Sequence, residues 1–391
     1  MAAAPRERST QLEDLAAATP VQPVAAPAPR RLVEFDAMRG IAIVFVVYLH
    51  AYFSPWEVTP DRQKLAVHVI HLFAHTAVPV FLFASGFFLA RERRVSFPEF
   101  LRKKALRIGL PLLTWMLVAF AYKAWDHGGI DSELVRNLAL FNISGQFYYL
   151  FVLAVFYVAF FFVKDAPLPG LAILVAFAFV ANLGAILYYE HSTISGDFAI
   201  LAYRNPLVWV FAFSFGLYVS RRWERLEWTA RWLWPGVAAM AAVFAWYLWQ
   251  GEQGDGYPVS YFGPSVFLFA CLSLVVLPAA LFRLRQSRAG AFVTAPARAL
   301  GRYAFAIYLV HMPLFIGYVT MTFVSDSVVQ DDYWDLMNGI FFVGFATALA
   351  SVVVVDLAFP RFAALFLGVE ARAKTIDPVG SPSEVRLHPA P

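Results

Sequence analysis

Ten stretches of this chain are apolar and long enough, or nearly so, to cross a bilayer, and polar connections separate them. They run approximately over 34–54, 64–90, 105–125, 147–163, 170–189, 204–219, 232–250, 260–282, 299–324 and 337–368. Lipid offers no partner to a bare N–H or C=O, so segments of this kind are expected to be helices, whose backbone bonds close within the segment. The whole chain agrees: 60% of its 391 residues are hydrophobic and 15% charged, with a mean hydropathy of +0.61. The expected fold class is therefore all-α, a polytopic membrane protein of about ten transmembrane helices.

The connections orient the spans. With the N-terminus in the cytoplasm, 26 of the 31 Lys and Arg residues fall on or next to the inner side. Only Arg62, Lys64, Lys123, Arg136 and Arg204 fall outside. Cytoplasmic loops carry such an excess, so the asymmetry supports ten crossings with both termini inside. Residues 1–31 are rich in Ala and Pro with no apolar run, which reads as a disordered cytoplasmic tail and not as a signal peptide. A transmembrane domain over 32–368 follows, and 369–391 read as a second polar, disordered tail. The single cysteine, Cys271, rules out internal disulfides and a thiolate cluster.

The first span, EFDAMRGIAIVFVVYLHAYF from Glu34 to Phe53, keeps Asp36, Arg39 and His50 around an apolar run. Ionisable groups at membrane depth are costly and normally face a protein-lined cavity, which makes this helix a functional-site hypothesis. Arg39 and His50 are eleven residues apart; at 100° per residue that is three turns plus about 20°, so both leave one face, separated by about 16 Å along the axis. An extended ligand could reach from one to the other.

Other spans carry polar groups with two open readings each. His68, His71 and His75 lie in the second span, with 71 and 75 at i,i+4 on one face. No Glu takes the HExxH position, so the expectation is hydrogen-bonding groups lining a polar cavity and no metal. Ser85-Gly86 later in that span reads as a close helix contact. Arg102, Lys103, Lys104 and Arg107 read either as a positive-inside signal touching lipid headgroups or as partners for the phosphates of a nucleotide-like cofactor. Gln146, Tyr148 and Tyr149 read as an interfacial aromatic belt. Arg204, opening the sixth span, either binds an acceptor from outside or snorkels to the interface. Tyr308 and His311 share a face of the ninth span, and His311, beside Pro313, is either structural or catalytic.

Four stretches in order resemble motifs of one family. FDAMRGIAIVFVVYLH resembles the opening motif of the acyltransferase-3 family of integral membrane acyltransferases, with its Arg-x10-His spacing met by Arg39 and His50. VPVFLFASGFFL resembles the family's Phe-rich Ser-Gly-Phe stretch, RKKALRIGLP its Arg-x-x-Arg segment before a proline, and GRYAFAIYLVHMP its Tyr-Leu-x-His-x-Pro signature. The resemblance covers about 32–360. One motif departs: Lys104-Ala-Leu-Arg107 stands where the family has two arginines, with Arg102 and Lys103 as alternatives, and lysine lacks the bidentate fork.

The resemblance implies an enzyme that moves an acyl group, usually acetyl, from cytosolic acyl-coenzyme A to a hydroxyl of a carbohydrate or glycoconjugate. Membrane lipid would be its surroundings, with no part for nucleic acid or metal. Arg39, Arg102, Lys103, Lys104 and Arg107 would hold the phosphates, and His50 would be the general base, since imidazole titrates near neutrality. Asp36 would orient Arg39 as an i,i+3 pair. His75, Arg204, Tyr308 and His311 are expected on the substrate side. The Ala-, Arg- and Pro-rich tails suggest a bacterial inner membrane. The competing class is a transporter or flippase without covalent chemistry, but no internal repeat supports it.

Overall fold

The computed structural model describes residues 32–51, 61–192, 195–223, 231–253, 260–312 and 333–369. Every described regular element is helical, as the need to close backbone hydrogen bonds within each segment dictates. In chain order the helices are α1 (Val33–Ala51), α2 (Asp61–Ala74), α3 (Ala77–Arg91), α4 (Phe97–Lys104), α5 (Leu110–Asp126), α6 (Ser132–Ala139), α7 (Tyr148–Phe161), α8 (Leu168–Glu190), α9 (Gly196–Arg204), α10 (Val210–Arg222), α11 (Leu233–Glu252), α12 (Pro264–Leu284), α13 (Arg288–Val310), α14 (Tyr333–Ala358) and α15 (Pro360–Phe366). Parts of the expected first and ninth spans, 52–54 and 313–324, lie outside the described residues. So do the tails at 1–31 and 370–391, expected to be disordered.

Among the described residues, five stretches are long and apolar enough to cross a membrane: Leu65–Arg91, Phe97–Asp126, Leu168–Glu190, Pro264–Leu284 and Met337–Ala358. Gly145–Phe161 is apolar but shorter. Their burial divides them. The most apolar part of Leu65–Arg91 is 78% buried, whereas that of Leu168–Glu190 is only 22% buried. On α8, Ile173, Phe177 and Val180 are all exposed. In water such a stripe would be a liability, but in a bilayer it is the surface that meets lipid. The chain is thus an all-helical membrane protein with α3 at its centre and α8 at its edge.

Local chemistry trims several segments. A 3-10 turn at Gly145–Phe147 precedes α7. Arg204 ends the short helix α9 and does not open the next one; Asn205 then accepts from the Leu207 N–H at 3.0 Å over a second 3-10 turn, Pro206–Val208. Proline beginning that turn breaks the ladder, leaving α10 with 13 residues. Between α4 and α5 the chain makes a π turn, Ala105–Gly109, of the kind often found at functional sites.

Two glycine pairs set the core. A Cβ on Gly40 of α1 would overlap the Ala297 carbonyl of α13, and one on Gly301 would overlap the Asp36 carbonyl. The same reciprocity joins α3 and α10: Gly86 lies on the Phe213 carbonyl and Gly216 on that of Phe83. The absence of side chains lets each backbone touch the other, which is how helices associate where no hydrophobic force drives them. Ser85-Gly86 is the close helix contact its sequence suggests.

Each pair runs parallel. Beyond the glycine crossing, α1 meets α13 again where the His50 ring packs tilted against that of His311. Likewise α3 meets α10 again where the Arg91 Nε donates to Ser220 Oγ at 3.2 Å. In both cases the contact advances along both chains together.

Candidate functional site

Helix α1 carries acidic residues, Glu34 and Asp36, in its first turn and His50 in its last, both favourable to the helix dipole. Asp36 is buried, and its Oδ1 accepts from Arg39 Nη2 at 2.5 Å. The guanidinium also lies over the Phe88 ring, 5.7 Å from its centroid. Its Nε remains buried and without a hydrogen-bond partner among the described residues. Arg39 therefore keeps one donor in reserve beside a carboxylate that already holds it in place. Such a group suits an anionic ligand better than a purely structural role, because a buried unpaired donor costs about 1–3 kcal/mol.

The basic segment lies at the same end, through α3. Phe88 touches Arg39, and Glu92, one turn on, accepts from Lys104 Nζ at 2.9 Å. Lys104 is further enclosed by the rings of Tyr157 and Phe100, at 4.4 and 5.3 Å. Lys103 pairs with Glu99 at 2.7 Å, with both side chains about half exposed. Arg102 is exposed on α4, and Arg107 is exposed within the π turn, where its carbonyl approaches Gly368. The four cations are thus unequal: Lys104 is built into the packing, and the ion pair of Lys103 is one that solvent screens.

At the far end of α1, His50 and His311 bring together two helices distant in the chain. Their ring centroids are 5.2 Å apart at an interplanar angle of 50°. His311 is fully buried, and its Nδ1 lies 2.9 Å from the Tyr308 carbonyl and 3.1 Å from that of Ile307. Tyr308, 6.0 Å from His311 between ring centroids, donates its hydroxyl hydrogen to the Gln146 carbonyl. Gln146 is itself buried, donating to the Met312 carbonyl at 3.2 Å and accepting from Ser144 at 2.5 Å.

Gln146 and Tyr149 are therefore not belt residues. Both are buried between helices, and the Tyr149 side chain lies near Ser85 within electrostatic reach of Arg39. Tyr149 also packs against Tyr308, 5.5 Å between ring centroids. It lines the interior between the Arg39 and His311 ends. An aromatic at a span entrance looks the same in sequence whichever way it points, so only the 3-10 turn that aims α7 reveals this.

Of the remaining candidates, His75 packs edge-on against His71 at 4.4 Å and tilted against Tyr261 at 4.3 Å between ring centroids, and Tyr261 lies near Tyr148. This aromatic group reaches Trp209 and Tyr203. Arg204 stands apart in role: its guanidinium donates to the carbonyls of Leu140, Ile200 and Phe141 at 2.7, 2.7 and 2.9 Å, and to Asn142 Oδ1 at 3.3 Å. Among the described residues no group of three or more His, Cys, Asp or Glu side chains converges as a metal site would.

One helix thus carries an arginine and a histidine and is joined in parallel to a second helix that ends at a histidine. Residues 32–356 match the family model for an acyltransferase domain, that of the acyltransferase-3 family. The match covers most of the chain, which belongs to that family. No curated protein and no solved structure matches it.

Proposed function

We propose that this membrane acyltransferase is an O-acyltransferase that moves an acyl group, acetyl foremost, from cytosolic acyl-coenzyme A to a hydroxyl of a carbohydrate or glycoconjugate. The observation that carries the proposal is the unpaired, buried Nε of Arg39 on the same helix face as His50. Coenzyme A bears phosphates at one end and a thioester at the other. In this reading Arg39 and the exposed cations of 102–107 take the phosphates, and the thioester lies deeper, near His50. Arg39 is held for that task by Asp36.

His50 is the general base. It takes the acceptor's hydroxyl proton as the oxygen attacks the thioester carbonyl, and gives that proton to the departing thiolate. His75, Tyr308 and His311 are the substrate-side groups. Arg204 serves the same side by shaping the loops around it, since its donors are already engaged.

We place the enzyme in a bacterial inner membrane with ten spans and both termini inside. The two parallel helix pairs support this count. Parallel spans need an odd number of crossings between them, and the ten-span reading puts seven between α1 and α13 and three between α3 and α10.

The test is acetyl-coenzyme A binding to purified wild-type and Arg39→Ala protein in detergent, by calorimetry, with free coenzyme A as control. Saturable binding that weakens at least about tenfold in the variant is expected, since a hydrogen bond to a charged group contributes about 1.5–3 kcal/mol. Folded wild-type protein that binds neither compound overturns the reading.

A further inference from the structure

His311 holds a feature that substrate binding leaves unexplained. Its Nδ1 meets two backbone carbonyls, at 2.9 and 3.1 Å, and carbonyls only accept. Nδ1 therefore carries the hydrogen, and while the ring is neutral the lone pair sits on Nε2. That Nε2 is buried and has no hydrogen-bond partner among the described residues. Two neighbouring donors are engaged elsewhere: the Tyr308 hydroxyl on the Gln146 carbonyl, and one Gln146 amide hydrogen on the Met312 carbonyl. The His50 ring is a close neighbour, its centroid 5.2 Å from that of His311.

We infer that His311 Nε2 is a fixed acceptor for the protonated form of His50, a positioning residue that makes its best hydrogen bond only while the proton of the acceptor is in transit. This rests on the acyl-transfer reading. As the acceptor oxygen bonds to the thioester carbonyl carbon, its proton passes to one nitrogen of His50, which becomes an imidazolium. The N–H on its other nitrogen then donates to His311 Nε2. The tetrahedral intermediate collapses, the C–S bond breaks with its electron pair on sulfur, and the His50 proton passes to the thiolate. Both histidines end neutral, and ester and free thiol are the products.

A hydrogen bond that strengthens when His50 becomes an imidazolium lowers the barrier without equally tightening substrate binding. The role resembles that of a carboxylate behind a catalytic histidine, but is filled by a neutral ring. A carboxylate there would charge the membrane interior at rest, whereas this ring stays neutral throughout. The backbone carbonyls of α13 fix its tautomer.

The test measures thiol release from acetyl-coenzyme A in detergent, with a methyl glycoside as hydroxyl probe. Wild type is compared with His311→Asn, which keeps a donor for the carbonyls and has nothing at the Nε2 position, and with His311→Gln, whose amide oxygen reaches that position. His311→Asn should lower kcat about 10- to 100-fold, with KM for both substrates within about twofold of wild type. His311→Gln should recover part of the loss, and His311→Asn should cost nothing further in a His50→Ala background. An unchanged kcat, a raised glycoside KM at normal kcat, or losses additive with His50→Ala would each overturn the inference while leaving acyl transfer standing. Wild type that releases no thiol sinks the acyl-transfer reading and the inference with it. Should His311→Asn not fold, ¹⁵N-histidine NMR of the wild type decides: a hydrogen on His311 Nε2 with bare Nδ1 refutes the assignment.

Discussion

Gly40 and Gly301 each lie against the backbone of the other's helix, and this one crossing sets the register of the candidate site. Ten residues farther along both helices stand His50 and His311, with their rings 5.2 Å apart. The rise from the crossing to the histidines is about 15 Å on each helix. Any change that slides one helix along the other moves one histidine past its partner.

Substituting Gly40→Val should therefore damage stability and activity together. The added carbons meet backbone and not a flexible side chain, so no rotamer change relieves them, and overpacking of this sort costs about 1–3 kcal/mol or more. Thermal unfolding in detergent and thiol release from acetyl-coenzyme A should both fall. Gly184→Ala, where an added Cβ meets nothing within 4 Å, serves as the control and should match wild type. Equal behaviour of the two variants would show that the crossing does not set the register.

His50→Ala should lower acyl transfer by at least about 100-fold, the usual contribution of a positioned proton carrier. His50 lies in the last turn of α1, where a cation is favourable to the dipole but not required for the helix. The variant should fold and bind acetyl-coenzyme A. Near-normal turnover would remove His50 as the base.

Much of this was legible in the sequence. The Arg39 and His50 spacing places them on one face, and the Asp36–Arg39 contact is present at 2.5 Å, because helical geometry alone decides both. The described parts of the apolar stretches fall mostly on helices, although only five described stretches are long and apolar enough to cross by themselves. The partnership of His50 with His311 was hidden, since it depends on a tertiary register between residues far apart in the chain. So was the inward aim of Gln146 and Tyr149, which hydropathy does not encode. The basic segment hid its division of labour for a similar reason: Glu92, which takes Lys104, belongs to a different helix connection.

That division predicts unequal effects among the cations. Lys104→Ala breaks the pair with Glu92 and strips the cover from Phe100 and Tyr157, so it should lower the unfolding temperature. Arg102→Ala and Lys103→Ala touch groups that solvent already reaches, and surface ion pairs contribute only about 0–1 kcal/mol. They should leave unfolding unchanged and weaken acetyl-coenzyme A binding, with a milder dependence of the dissociation constant on salt. Calorimetry across a salt series separates the cases. Unaltered affinity in the Arg102→Ala, Lys103→Ala double variant would assign these two residues to lipid headgroups.

Arg204 sustains a different kind of dependence. It gathers three carbonyls, and one belongs to Phe141, a non-glycine residue held at φ 56°. Left-handed backbone costs about 1–2 kcal/mol for such a residue and persists here because the guanidinium fixes its carbonyl at 2.9 Å. Removing the guanidinium leaves partly buried acceptors without it, at about 1–3 kcal/mol for each that water does not reach. Arg204→Gln should therefore unfold at a distinctly lower temperature than wild type, by more than any surface cation variant. Phe141→Gly, which relieves the backbone strain, should restore part of that loss when combined with it. The readout that separates structure from binding is KM: a folded Arg204→Gln enzyme with an unchanged acceptor KM assigns Arg204 to the loops alone, and a raised KM at normal unfolding temperature assigns it to the acceptor.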